Sequence, residues 1–436
     1  MLDIKLIREK PEEFKEAVAR KGADPALVDE AIELDKERRR LLAQLEDFQN
    51  KLNIRSREIA EYHAQQKVDA INDATTLSDQ IKQIKPKLEE INASYIEIMG
   101  KLPNLPSGDT PEGKDESGNK VIRSFGDKPK INRPKEHWQI GEELDIIDIA
   151  RATKVSGTRF NYIKGKLALL QFALIRFAYS VLIDEEILKK IVKSAELNVS
   201  TKPFIPIIPP VFIKPAVFAK MARLEPKEER YYLPSDDLFL IGSAEHTLGS
   251  MHMDETFNEK DLPLRYAGYS TSFRREAGSY SKDMKGILRV HQFDKLEMES
   301  FTVPEDSIKE QNFIVAIQEY LMQQIKVPYQ VVQICAGDMG GPDARQIDIE
   351  SWLPGQGKYR ETHTSDLMTD YQARRLNTRV KRRDGKTEFV HMNDATAFAM
   401  GRTMIAIMEN YQQKDGTIKI PQVLKKYLSF DKIERK

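Results

Sequence analysis

Thr271-Ser272-Phe273-Arg274-Arg275-Glu276-Ala277-Gly278-Ser279 and, one short segment later, Leu288-Arg289-Val290-His291-Gln292-Phe293-Asp294-Lys295-Leu296-Glu297 are the two runs that decide the fold. Both are β-rich and alternating, and they flank a stretch of Gly, Ser and Lys, which predicts a long antiparallel hairpin over 264–273 and 288–301. Side chains alternate across a strand, so Arg289, His291, Phe293, Lys295 and Glu297 are expected on one face. Cations, a ring and a carboxylate make a poor core. They suit a site that holds a phosphate, a stacked base and an amino group together.

Further strands are predicted over 329–334, 346–353 and 388–392, and helices over 167–182 and 397–410. The 397–410 helix opens on Ala397-Phe398-Ala399-Met400-Gly401-Arg402, small residues beside an arginine, which suits close approach to a nucleotide triphosphate. Everything after about residue 120 therefore reads as one α+β domain around an antiparallel sheet. Upstream, the Pro- and Gly-rich segment 104–120 reads as a linker.

The first hundred residues have a different texture. A short helix is expected over 10–21, and Asp24-Pro25 marks a new helix start. Leu27, Leu34, Leu41, Leu45, Phe48 and Leu52 then form one heptad seam, and Leu77, Ile81, Ile84, Leu88, Ile91, Tyr95, Ile98 and Leu102 form another. Joined through a polar stretch at 62–76, they predict an antiparallel helical hairpin, an arm too long to be a globular core. Pro86 falls inside the second seam, so a kink or a later helix start is expected there.

Composition narrows the function classes. The 436 residues carry 68 Lys+Arg against 68 Asp+Glu, so net charge points neither to a nucleic-acid coat nor to a membrane surface. No apolar run approaches the ~20 residues of a bilayer span, and the N-terminus lacks a signal-peptide pattern, so a cytoplasmic protein is expected. One cysteine, Cys335, excludes an intrachain disulfide and thiolate-rich zinc sites, and the seven histidines show no ligand spacing.

Phe273-Arg274-x-Glu276 followed by Arg289-x-His-Gln-Phe293 resembles motif 2 of the class II aminoacyl-tRNA synthetases, and Gly401-Arg402 resembles the arginine of motif 3. Pro209-Pro210 sits where motif 1, the dimer-interface motif, is expected. Within that class the chain is similar to the seryl-tRNA synthetase family over nearly its whole length. The landmarks are the N-terminal hairpin, Leu102-Pro103-Asn104-Leu105-Pro106, Ser156-Gly157-Thr158-Arg159-Phe160, Gly278-Ser279 and Glu409-Asn410-Tyr411-Gln412.

The resemblance implies a tRNA-binding N-terminal domain over 1–103 with its coiled-coil arm, a linker over 104–120, and a class II catalytic domain over 121–436 whose antiparallel sheet is flanked by helices. It implies a homodimer that activates L-serine with ATP and charges tRNA-Ser, with tRNA-Sec a further candidate. Arg274, Arg402 and Glu361 would be catalytic. ATP would meet Arg274, Glu276, Arg289, Val290, Phe293, Glu361, Thr364 and Arg402. Mg²⁺ would bridge the phosphates through Glu361 and Thr364, and no zinc is expected. Serine would be read by Ser243, Glu245, Arg274, Glu297 and Thr396, and the arm would meet tRNA through Arg38, Arg39, Arg55 and Arg57. The chain departs from the family pattern at Ser243 (commonly Thr), Ser281, Met284 and Asp394 (commonly Asn).

Taken singly, these residues have ordinary readings: Arg274 as a surface ion-pair partner, Glu297 as a solvated strand residue, Phe293 as core, His291 and His363 as structural hydrogen-bonders. The basic run Arg374, Arg375, Arg379, Lys381, Arg382 and Arg383 fits a solvated hairpin as well as an acceptor-stem contact. Two other functions stand beside the first: a synthetase relative that loads a carrier protein, and a non-catalytic coiled-coil scaffold.

Overall fold

The computed structural model describes residues 1–277 and 285–435, in two compact units, Met1–Leu105 and Pro106–Lys436. In the first, α1 (Ile4–Glu9) and α2 (Pro11–Arg20) precede two long helices, α3 (Ala26–Glu61) and α4 (Ala64–Lys101). At 36 and 38 residues these helices are each about 55 Å long at ~1.5 Å per residue. The heptad positions Leu41, Ile81, Leu88 and Ile98 are buried in the seam. The turn is only Tyr62 and His63, far shorter than the polar stretch suggests, because residues 64–76 remain helical. Helix α4 also runs through Pro86.

The second unit is built on an eight-stranded sheet. Its strands are β1 (Lys120–Phe125), β2 (Ile205–Ile207), β3 (Leu264–Phe273), β4 (Gln292–Thr302), β5 (Tyr329–Gln333), β6 (Arg345–Leu353), β7 (Lys358–Thr369) and β8 (His391–Ala399). They lie in the order β1-β5-β6-β7-β8-β4-β3-β2, and every pairing is antiparallel except β2 with β3. Helices α5 (His137–Glu143), α6 (Gly165–Leu182), α7 (Glu245–Leu248), α8 (Ser307–Ile325) and α9 (Met400–Asn410) surround it. The architecture is a helical arm unit and an antiparallel-dominated α+β sheet unit.

Apolar spacing builds the core under this sheet. Leu167, Leu170, Leu174, Phe177 and Val181 of α6 are buried with Phe313, Ile314, Ile317 and Leu321 of α8 and Met404, Ile405 and Ile407 of α9. Helix α6 is long and apolar enough to cross a membrane, yet its inner face is spent on this core. Helix α8 also ties the sheet down with buried amides. The Gln318 side chain donates at 2.8 Å to the carbonyls of both Thr364 and Thr396, fixing β7 and β8 side by side.

The segment after Pro106 packs closely on the sheet. Ser107 N–H donates to Ala344 O at 2.7 Å, Arg345 Nε lies 2.8 Å from the Asp109 carboxylate, and Gly337 N–H donates to Gly113 O. A Cβ on Gly113 would stand 2.6 Å from the buried Cys335 Sγ, so only glycine permits this approach. The hairpin strand also begins later than its alternation suggests, at Gln292, and the strand expected over 388–392 divides between Thr387–Phe389 and β8.

Candidate active site

Two arginines far apart in the chain, on elements that follow the two strands flanking β4, open onto one cavity. Arg274 follows the last residue of β3; its Nε donates to Gly242 O at 3.0 Å, and its guanidinium lies 5.4 Å from the centre of the Phe293 ring. Arg402 stands at the β8–α9 junction with Nη1 2.6 Å from Glu361 Oε1 on β7. Both line the cavity, together with Glu276, Arg289, Val290, Phe293, Thr364 and Thr396. Glu276 has a left-handed backbone (φ 52°), uncommon outside glycine, and its carbonyl accepts from Arg159 Nη1 at 2.9 Å. Its carboxylate lies 3.3 Å from Arg289 Nη1.

The shared face expected along 289–297 holds in part. Phe293 and Lys295 face the cavity from β4, and Arg289 reaches it from the irregular chain before the strand. His291 turns away. Its Nδ1 is 3.0 Å from Arg274 O and its ring packs against Phe160, so it buttresses the arginine's backbone. His363 is buried against Thr362 Oγ1, a structural role.

Glu361 combines opposing influences. Burial would raise its carboxyl, but the guanidinium groups of Arg402 and Arg274 outweigh that and hold it below the ordinary range. Its neighbour Asp348 goes the other way: burial, reinforced by the Glu361 charge, pushes it well up. Thr364 Oγ1 donates to Asp366 Oδ1 at 3.2 Å. An ionised carboxylate and a hydroxyl on one strand, facing the cavity, are oxygen donors of the kind a hard divalent cation takes, so this set fits Mg²⁺.

Beside that cavity lies an acidic pocket. Ser243 is fully buried and its Oγ accepts from Glu245 N–H at 3.4 Å. Glu245 is held by Arg223 Nε at 3.1 Å and by His246 Nε2 at 3.4 Å, while Gly242 N–H donates to His246 Nδ1. That places the imidazole proton on Nε2, towards Glu245. Burial lowers His246 to about 4, so it stays neutral. Burial opposes ionisation of Glu245 too, but Arg223 and His246 prevail and hold it well below the usual range.

Glu297 sits on β4 with Oε2 2.7 Å from Lys295 Nζ, and burial raises it to about 7. Carboxylate oxygens of Glu245, Glu297 and Asp394 lie within 4.8 Å of one another. Burial and the Glu245 charge push Asp394 well up, and burial with the Asp394 charge does the same to Glu299. In its ionised form Glu297 would suit an ammonium here.

Comparison with known proteins bears on what this geometry serves. Residues 1–106 match the family model "Seryl-tRNA synthetase N-terminal domain", and residues 231–411 match "tRNA synthetase class II core domain (G, H, P, S and T)". The serine–tRNA ligase of Dictyoglomus turgidum is 38% identical, covering 100% of both chains. The chain belongs to the seryl-tRNA synthetase family. Among solved structures, the seryl-tRNA synthetase of Pyrococcus horikoshii complexed with ATP is 37% identical, with TM-score 0.89 and 100% of each chain covered. The cytoplasmic serine–tRNA ligase of Naegleria fowleri in complex with AMP is 29% identical, with TM-score 0.84, covering 100% of this chain and 99% of that one. The family charges tRNA-Ser with serine, and both domains are present here, which removes the scaffold and carrier-protein readings.

Several residues of this family member gave no signal in the sequence. Arg223, whose Nη2 lies 3.2 Å from Asp343, 3.7 Å from Asp366 and 3.6 Å from Asp394, comes from an aperiodic stretch. Its four carboxylate partners are distant in the chain. Lys295 was visible only as one member of a face. On the arm, Arg38 and Arg39 both bond the buried Asp35, and Arg38 lies 4.9 Å over the Tyr95 ring. Arg55 pairs with Glu58 and Asp73, while Arg57 is exposed. In the basic run, Arg374 pairs with Asp370, and Arg382 with Glu259, Glu305 and Glu388. Ser281 and Met284, with Gly278-Ser279, lie outside the described residues.

Proposed function

We propose that this chain works as a homodimer in the cytoplasm, forming seryl-adenylate from L-serine and ATP and passing the seryl group to the 3′ end of tRNA-Ser, with tRNA-Sec a further acceptor to test. The observation that carries this reading is the meeting of Arg274 and Arg402 at one cavity beside the Ser243–Glu245–Glu297 pocket.

In the first step a serine carboxylate oxygen attacks the α-phosphorus, the α–β bridging bond breaks, and diphosphate leaves. Serine is already ionised at neutral pH, so the step needs no general base and rests on positioning and charge. Arg274 bonds the α-phosphate and the serine carboxylate as charge gathers between them. Arg402 holds the γ-phosphate, and adenine stacks between its guanidinium and Phe293. Glu276, Arg289 and Val290 line the nucleotide's flank. Mg²⁺, held by Glu361 and Thr364, would neutralise phosphate charge.

Glu297 pairs with the serine ammonium, Glu245 and Thr396 read its hydroxyl, and Ser243 meets its polar end. Without that hydroxyl, alanine strands buried polar groups and is rejected strongly. Threonine is excluded by the wall alone, worth about 1–3 kcal/mol for one methyl-sized group.

The dimer reading rests on exposed apolar residues around Pro209-Pro210: Ile205, Ile208 and Phe212, with Ile208 84% exposed. On the arm, Arg57 and its neighbours are proposed to follow tRNA phosphates. The test is charging with radiolabelled serine. A tRNA-Ser transcript should accept it and alanine or threonine tRNA should not; equal charging of all three would reject the reading.

A further inference from the structure

Ile287 and Leu288 line the nucleotide cavity, and three contacts tie their segment, Lys285-Gly286-Ile287-Leu288, to the start of α5. Ile287 N–H donates to His137 Nε2 at 3.1 Å. Lys285 Nζ lies 4.5 Å over the ring of Trp138. Gly286, at φ 78°, packs so closely that a Cβ there would stand 1.9 Å from His137 Nε2. The last contact shows that this imidazole fills space no other residue at 286 would leave.

His137 is itself held from α9. Glu409 Oε1 accepts from His137 N–H at 3.0 Å and lies 3.4 Å from His137 Nδ1, while Glu409 Oε2 accepts from Gly355 N–H at 2.8 Å. His137 is 1% exposed and Glu409 fully buried. Because Nε2 accepts from Ile287, the ring proton belongs on Nδ1, facing the carboxylate, which is how a carboxylate fixes an imidazole tautomer. Helix α9 also carries Arg402, two turns before Glu409. One helix thus presents the arginine from its first turn and, from its last, anchors the Ile287 stretch of the cavity wall, through Glu409 and His137.

We infer that His137, set by Glu409, is a positioning residue for ATP: it holds the 285–288 wall at a fixed distance from Arg402 so that the nucleotide cavity is ready before ATP arrives. This rests on the ATP reading of the cavity given above. It makes no contact with the serine pocket, so its loss should weaken ATP and spare serine.

The test measures dissociation constants for ATP with Mg²⁺ and for serine by calorimetry on the full chain. His137→Phe should weaken ATP about tenfold, the size of one lost buried hydrogen bond with a stranded donor, and leave serine within about twofold. His137→Gln, whose amide oxygen can accept from Ile287 N–H, should recover most of the loss. Should His137→Phe fail to fold, Glu409→Gln sets an amide donor against at least one of the three N–H groups this carboxylate meets, and ATP should weaken severalfold. Unchanged ATP binding in a folded variant, equal weakening of both ligands, or no recovery in His137→Gln would overturn the inference. Wild-type chain that binds ATP but lacks serine-dependent activity would count against the proposed function, while the ratio of ATP constants would still decide the role of His137.

Discussion

Arg402 and Glu361 meet at 2.6 Å across 41 residues of chain, a guanidinium from the first turn of a helix closing on a carboxylate from the neighbouring strand β7. The pair puts Arg402 at the mouth of the cavity and keeps Glu361 ionised against the effect of burial. In the proposed function both partners exchange this contact for the triphosphate, the arginine for the γ-phosphate and the carboxylate for the accompanying cation. The pairing is therefore a poised resting arrangement whose two halves have separable effects.

Arg402→Ala should lower serine-dependent ATP–pyrophosphate exchange by at least about a thousandfold, within the range for loss of a phosphate-binding arginine. Its quaternary state should be unchanged by sedimentation, because the side chain supports no core packing. Glu361→Gln should instead raise the Mg²⁺ concentration needed for half-maximal exchange. Normal turnover in Arg402→Ala would refute its assignment.

Glu297 gives a pH dependence. With its carboxyl raised to about 7 by burial, it is protonated in much of the free protein at pH 6 and ionised at pH 8. An ammonium needs the ionised form, so the KM for serine should fall as pH rises across that interval. Glu297→Gln should bind serine weakly and lose the slope. A flat profile in the unaltered chain would count against the ammonium role.

Asp394 presents a different case. Burial and the neighbouring Glu245 charge push its carboxyl well up, which favours the protonated form, with the shape and donor capacity of an asparagine. Asp394→Asn should therefore change the KM for serine by less than about threefold. A tenfold change would mean that a charged carboxylate is needed there.

The arm and the site are predicted to separate functionally. Removing residues 27–102 should leave adenylate formation intact while abolishing transfer to tRNA, measured by exchange and by charging on the same preparation. Survival of charging would remove the arm from tRNA recognition.

The sequence made some of this plain and hid the rest for physical reasons. Heptad seams such as Leu34–Leu41 and Ile81–Leu88 expose the arm because a coiled coil repeats its contact every seven residues. The β3 and β4 hairpin was readable because alternation records two faces, although it overextended the face to His291, which lies before the strand begins. Pro86 does not delay the start of the helix, whose seam is packed around Ile81 and Leu88. Arg223 could not be found this way. Its meaning lies in four carboxylates, from a helix, a loop and two strands, brought together only by the fold, and nothing local marks it. His137 is hidden similarly, because its partners Ile287 and Glu409 are far away in the chain.

Amino-acid-dependent ATP–pyrophosphate exchange asks most directly whether the two arginines and the acidic pocket serve one reaction. Exchange that runs with serine, and falls at least about a hundredfold with alanine and clearly with threonine, is the result expected of a cavity that holds the triphosphate next to a hydroxyl-reading site. No exchange with serine, or equal exchange with all three amino acids, would contradict it.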